Sequence, residues 1–143
     1  MVTFTILPGS PFGPQSLPHG VEPVRFETEV GPLTGLHAAP VGSDHGTVLL
    51  IPGFTGSKED FLDFMPLLAS AGYDTWAYSQ RGQADSAAPE GQQCYTLDAF
   101  TADAMSVAQL VARQGRPLHL VGHSFGGVVA REAAIDSPTD SRP

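Results

Sequence analysis

A single cysteine, Cys94, leaves this 143-residue sequence unable to form an internal disulfide framework or a multi-cysteine metal site. Asparagine is absent altogether, which removes any N-glycosylation acceptor. Basic residues are scarce: one lysine and six arginines stand against 15 acidic residues, for a formal net charge of −8. With no basic run to bind phosphates, neither nucleic acid nor an anionic membrane surface is expected as a partner. Long apolar runs are also missing. The longest, Val48–Ile51, is far below the roughly 18 residues of a membrane span. No basic residue precedes the apolar stretch within Met1–Ser10, so the pattern of a secretory signal is absent and a cytoplasmic location is expected. The five histidines form no Cys/His cluster, and no metal is expected. There is no G-x-G-x-x-G for a dinucleotide. Gly53–Lys58 has the wrong glycine and lysine spacing for a phosphate-binding loop. No cofactor is implied.

What is present reads as a globular chain. The hydrophobic fraction is 41% with 15% charged residues, a balance that can build a core. Five prolines between Pro8 and Pro23 mark residues 1–23 as an irregular leader, because each removes a backbone donor. From Val24 the pattern alternates through Phe26, Thr28 and Val30, as in a half-buried strand. Gly31-Pro32 breaks it, and Leu33–Ala39 reads as the hairpin partner. Thr47–Ile51 is continuously apolar, the signature of a strand covered on both faces. Ser57 and Asp60 resemble a capping box, followed by Phe61, Phe64, Met65 and Leu68 at helical spacing, with Pro66 placed to kink or split the helix. A strand at Tyr73–Ser79 and a polar loop, Arg81–Gln93, come next. Thr96 caps a second helix with Leu97, Phe100, Ala104, Val107 and Val111 on one stripe, closed by Gly115. Strand Leu118–Val121 and helix Phe125–Ile135 complete the pattern, ahead of a polar tail, Ser137–Pro143. Strands alternating with helices in this way predict an α/β fold with a doubly wound, mostly parallel sheet.

The chemistry concentrates in Gly122-His123-Ser124-Phe125-Gly126, a G-x-S-x-G pattern placed between a short apolar strand and a helix. That is the setting of a nucleophile elbow, in which a strained turn exposes the serine and its neighbours must lack bulk. Gly122 and Gly126 meet that need, and Gly127 is expected to let the helix pack closely on the sheet. His123 is expected to pack rather than to act as the base, since adjacent residues leave a turn in different directions. His119, inside the strand, reads as a buried core histidine.

Together with Pro52-Gly53-Phe54 and Arg81-Gly82, this motif resembles the α/β-hydrolase-fold family, in its esterase, lipase and haloperoxidase-like group. The resemblance covers about Val24 to Asp136. It implies a serine hydrolase acting on a small-molecule acyl substrate, with Ser124 as nucleophile and the backbone N–H groups of Phe54 and Phe125 as oxyanion hole. Three departures stand out. Pro52 replaces the familiar histidine, Ser79 stands where an aspartate is common, and the loop after Gly82 lacks its usual second glycine.

The resemblance also implies partners that are missing. The family order is Ser, then Asp or Glu, then His, yet after Ser124 the chain offers Glu132, Asp136 and Asp140 and no histidine. Five strands are legible where the family typically has eight. Residues 24–143 therefore read as an incomplete, N-terminal part of the domain. Leu118–Val121 would then form an unpaired apolar edge through which the chain self-associates. Little or no turnover is expected of these residues alone. A non-catalytic binding module and a self-associating fragment are the alternative readings.

Overall fold

A computed structural model describes residues 4–6 and 17–136. The strands are β1 (Phe4–Ile6), β2 (Val21–Thr28), β3 (Gly31–Ala38), β4 (Gly46–Ile51), β5 (Tyr73–Tyr78) and β6 (Leu118–Gly122). They form one sheet in the order β1-β2-β3-β5-β4-β6. β1, β2, β3 and β5 pair antiparallel, and β5, β4 and β6 pair parallel. The α-helices are α1 (Met65–Ser70), α2 (Leu97–Val111) and α3 (Phe125–Asp136).

β4 shows why the sheet needs two covers. Leu49 and Ile51 pack into a cluster with Phe100, Ala104 and Val107 of α2 and Val129 and Ala133 of α3. Val48 and Leu50 point the opposite way, into a cluster with Phe61, Met65 and Ala69. Side chains alternate across a strand, so a strand covered on both faces must be apolar at every position. All six β4 residues are buried.

Several expectations are corrected. The proline-rich stretch is not irregular throughout, because β1 lies within it and pairs with β2, which itself begins at Val21. Residues 1–3 and 7–16 of that stretch and the tail from Ser137 lie outside the described residues. The segment after Ser57 divides at Pro66 into a 3-10 turn, Lys58–Phe61, and the short α1, with Pro66 in the first turn, where its missing N–H costs no hydrogen bond. Phe64 consequently leaves the apolar stripe and is exposed. α2 ends at Val111 because Ala112 is already extended (φ −64°, ψ 142°), and Gly115 serves the following turn instead. Thr96 caps α2 as expected, its hydroxyl accepting from the Ala99 N–H at 3.1 Å.

β6 is the outermost strand on its side among the described residues. Leu118 and Leu120 pack against the α2–α3 cluster, while His119 and Val121 point to the other face and are exposed. His119 is thus not a core histidine. α1 packs against β3 and β5, and the His119 ring meets the Tyr73 ring edge-to-face at 6.0 Å.

Candidate active site

β6 runs directly into α3, and Ser124 occupies the turn between them. Its φ is +57°, a left-handed conformation that a residue with a Cβ adopts only at a cost of roughly 1–2 kcal/mol. The surrounding glycines explain how the turn closes. A Cβ on Gly122 would overlap the Gly126 carbonyl, and one on Gly126 would overlap the Ile51 carbonyl. Neither obstacle can rotate away, since both are backbone. Gly127 differs from its expected role: a Cβ there would meet only the Gly122 carbonyl oxygen, at an ordinary 3.5 Å. The turn is fastened by His123 N–H to the Ile51 carbonyl (3.0 Å) and by Gly126 N–H to the His123 carbonyl (2.9 Å). Ser124 is left exposed, and the positive end of α3 begins at the next residue.

The loop after β4 closes over this turn. A Cβ built on Gly53 would come within 3.4 Å of the Ser124 Cβ, so a larger residue there would crowd the serine. Phe54 follows, its ring edge-to-face with Phe125 at 5.7 Å; Phe125 in turn meets Phe100 at 5.3 Å. Neither the Phe54 nor the Phe125 N–H has a backbone acceptor among the described residues. Pro52 is buried and removes no donor from Phe54.

The loop after β5 supplies residues that motif reading passed over. Gln80 donates from Nε2 to the Pro52 carbonyl at 3.1 Å. Gln83 donates from Nε2 to the carbonyls of Gly53 (2.7 Å) and Phe54 (3.0 Å), while its Oε1 accepts from the Gln80 N–H at 2.8 Å. Glutamine carries no chemical signature of its own; the one available signal was their position flanking Arg81-Gly82. Arg81 makes a bidentate pair with Asp103 of α2 (2.7 and 2.8 Å) and donates to the Cys94 carbonyl at 2.8 Å. Ser79, in place of the common aspartate, accepts from the Lys58 N–H at 3.0 Å through its hydroxyl. The missing second glycine has its counterpart in Ala84, which sits at φ +46°.

No side chain among the described residues hydrogen-bonds the Ser124 hydroxyl, and His123 is exposed beside it. Glu132 lies on α3, not on a later strand. Among the described residues no group of three or more His, Cys, Asp or Glu is placed to hold a metal ion, and no helix is long and apolar enough to cross a membrane.

A parallel-centred sheet between helices, with a strained serine at a strand-to-helix turn, defines the hydrolase class to which this architecture points. The sequence profile described as "alpha/beta hydrolase fold" matches residues 46–141, and the chain belongs to that family. The candidate carbamate hydrolase RutD of Variovorax paradoxus is 36% identical over 100 residues, covering 67% of this chain and 35% of that protein. Epoxide hydrolase A of Mycobacterium tuberculosis is 33% identical over 88 residues, covering 62% and 27%. The structure of an epoxide hydrolase from an endophytic Streptomyces superposes with a TM-score of 0.72 at 28% identity, over 85% of this chain and 35% of that one. A thioesterase domain from the curacin biosynthetic pathway gives 0.69 at 27% identity, over 80% and 41%. The chain thus spans about a third of the length of the curated relatives it matches.

Proposed function

We propose that this chain is the nucleophile-bearing part of a serine hydrolase that cleaves carboxylic ester-type bonds through an acyl-serine intermediate. The observation that carries the reading is Ser124 itself: a serine held at φ +57° between two glycines that backbone contacts make irreplaceable. In this reaction the Ser124 hydroxyl oxygen attacks the acyl carbon and its proton passes to a base. The carbonyl oxygen becomes an oxyanion, accepted by the N–H groups of Phe54 and Phe125, each contributing ~3 kcal/mol in a site closed to water. The alcohol leaves with the proton, and water then frees Ser124 from the acyl group.

The relatives' names cover carbamate, epoxide and thioester chemistry, and the serine sets the epoxide apart from the other two. Attack by a serine hydroxyl on an epoxide carbon would leave an alkyl-serine ether, which water does not cleave under mild conditions. Attack on an acyl carbon leaves an ester, which it does. No histidine follows Ser124 in these 143 residues, so they do not supply the base in the family's order. These 143 residues alone should therefore turn over little or no ester. Hydrolysis of a short-chain p-nitrophenyl ester tests the proposal. The chain continued through its downstream coding sequence should hydrolyse the ester, and Ser124→Ala should abolish this; undiminished hydrolysis by Ser124→Ala would refute the proposal.

A further inference from the structure

The oxyanion loop is held from outside, and the holder is specific. Residues 52–58 are tied to residues 79–83 at four points: the carbonyls of Pro52, Gly53 and Phe54, and the N–H of Lys58. Gln83 makes two of those four ties with one side-chain amide. Its Nε2 faces two carbonyls, which can only accept, and its Oε1 faces the Gln80 N–H, which can only donate. The amide therefore fits in one orientation only. Its own base is firm, since the Gln83 N–H donates to the Gln80 carbonyl at 2.9 Å and Gln80 is buried at the end of β5.

The Gly53 carbonyl and the Phe54 N–H are the two ends of a single trans peptide unit, no cis bonds being present. Fixing one end fixes the other, pointing the opposite way. The Gly53 oxygen receives both Gln83 Nε2 at 2.7 Å and Gly56 N–H at 3.1 Å, so its two lone pairs are occupied on the side away from the Phe54 N–H. Drawing electron density toward that oxygen also makes the Phe54 N–H a stronger donor. Without Gln83, the exposed glycine-flanked loop could rotate this peptide and turn the N–H out of line.

We infer that Gln83 is a positioning residue for the oxyanion hole: it sets the Gly53–Phe54 peptide plane and with it the direction of the Phe54 N–H. This rests on the serine-hydrolase reading above. It does not touch substrate; it acts through the peptide it holds.

Two readouts separate the inference from the reading beneath it. In the 143-residue chain, the Phe54 amide resonance should move upfield in Gln83→Met, which keeps the length and apolar stem but has no donor, while the rest of the spectrum stays folded. In the chain continued through its downstream segment, labelling of Ser124 by a fluorophosphonate should slow about 10- to 100-fold at saturation in both Gln83→Met and Gln83→Glu. The half-saturating probe concentration should change less than about threefold, because an interaction made with the developing oxyanion alters the maximal rate and not ground-state binding. A Phe54 resonance that stays put, or a saturating rate within about twofold of wild type in both variants, overturns the inference. If the unsubstituted protein shows no labelling of Ser124, the hydrolase reading fails, and the amide resonance alone then decides whether Gln83 sets the loop.

Discussion

A methyl group on Gly122 would occupy the space of the Gly126 carbonyl, while one on Gly126 would meet the backbone of Ile51 and Pro52. Because backbone is the obstacle, Gly122→Ala should destabilise the chain by about 2–3 kcal/mol or prevent folding. Gly127→Ala makes the opposite prediction. It sits inside α3 with only an ordinary 3.5 Å neighbour, so the alanine should stabilise by about 0.5–1 kcal/mol. Urea unfolding of the two variants, compared with the parent, checks both signs.

Ala84 pays a conformational penalty at φ +46° that glycine would not. The left-handed region costs roughly 1–2 kcal/mol for a residue with a Cβ, and glycine returns about half of that as extra unfolded-state entropy. Ala84→Gly should therefore raise stability by about 0.5–1 kcal/mol, read as a higher urea midpoint with an unchanged slope.

The part-buried Arg81–Asp103 pair ties the β5 loop to α2. Asp103→Ala leaves the part-buried guanidinium with the Cys94 carbonyl, and should cost about 1–2 kcal/mol. Thermal unfolding of the single variant measures it.

Acid should unfold the protein through carboxylates at the opposite end of the sheet from Ser124. Bidentate hydrogen bonds from Arg113 (2.6 and 2.9 Å) hold the Asp44 carboxyl at about 2, against an ordinary 3.8. Burial alone would raise Asp74, yet hydrogen bonds from His37 and Trp76 outweigh it and lower the carboxyl below its usual range. The unfolded chain takes up these protons first as pH falls. Their stabilisation is accordingly full above about pH 4 and drains away toward pH 2. An acid titration followed by tryptophan fluorescence should show this loss, and Asp44→Asn should flatten part of it.

The edge formed by β6 has no described strand beyond it, and Val121 is exposed there. The isolated 143-residue chain is therefore expected to associate with rising concentration in size-exclusion chromatography. Val121→Lys, a charge on an edge strand, should return it toward monomer.

Wherever one local rule dictated structure, the sequence was enough to read it. Continuous apolarity identified β4, Thr96 identified the start of α2, and the G-x-S-x-G spacing located a turn whose serine does adopt positive φ. Long-range geometry was not legible. His119 looked buried because its strand is apolar, but burial depends on what covers that face, and α1 lies over other strands. Gln80 and Gln83 were invisible for a related reason. Their importance comes from reaching carbonyls about thirty residues away, a relation fixed only by how β4 and β5 pair.

The most direct test of the account is covalent. A fluorophosphonate should be added to the 143-residue chain and to the chain continued through its downstream coding sequence, and the modified residue and its rate read by peptide mass spectrometry. The account predicts label on Ser124 alone in the continued chain, absent in Ser124→Ala, and slower by on the order of a thousandfold or more in the 143 residues by themselves. Label on a different residue, or equally rapid labelling of Ser124 in the shorter chain, would contradict it.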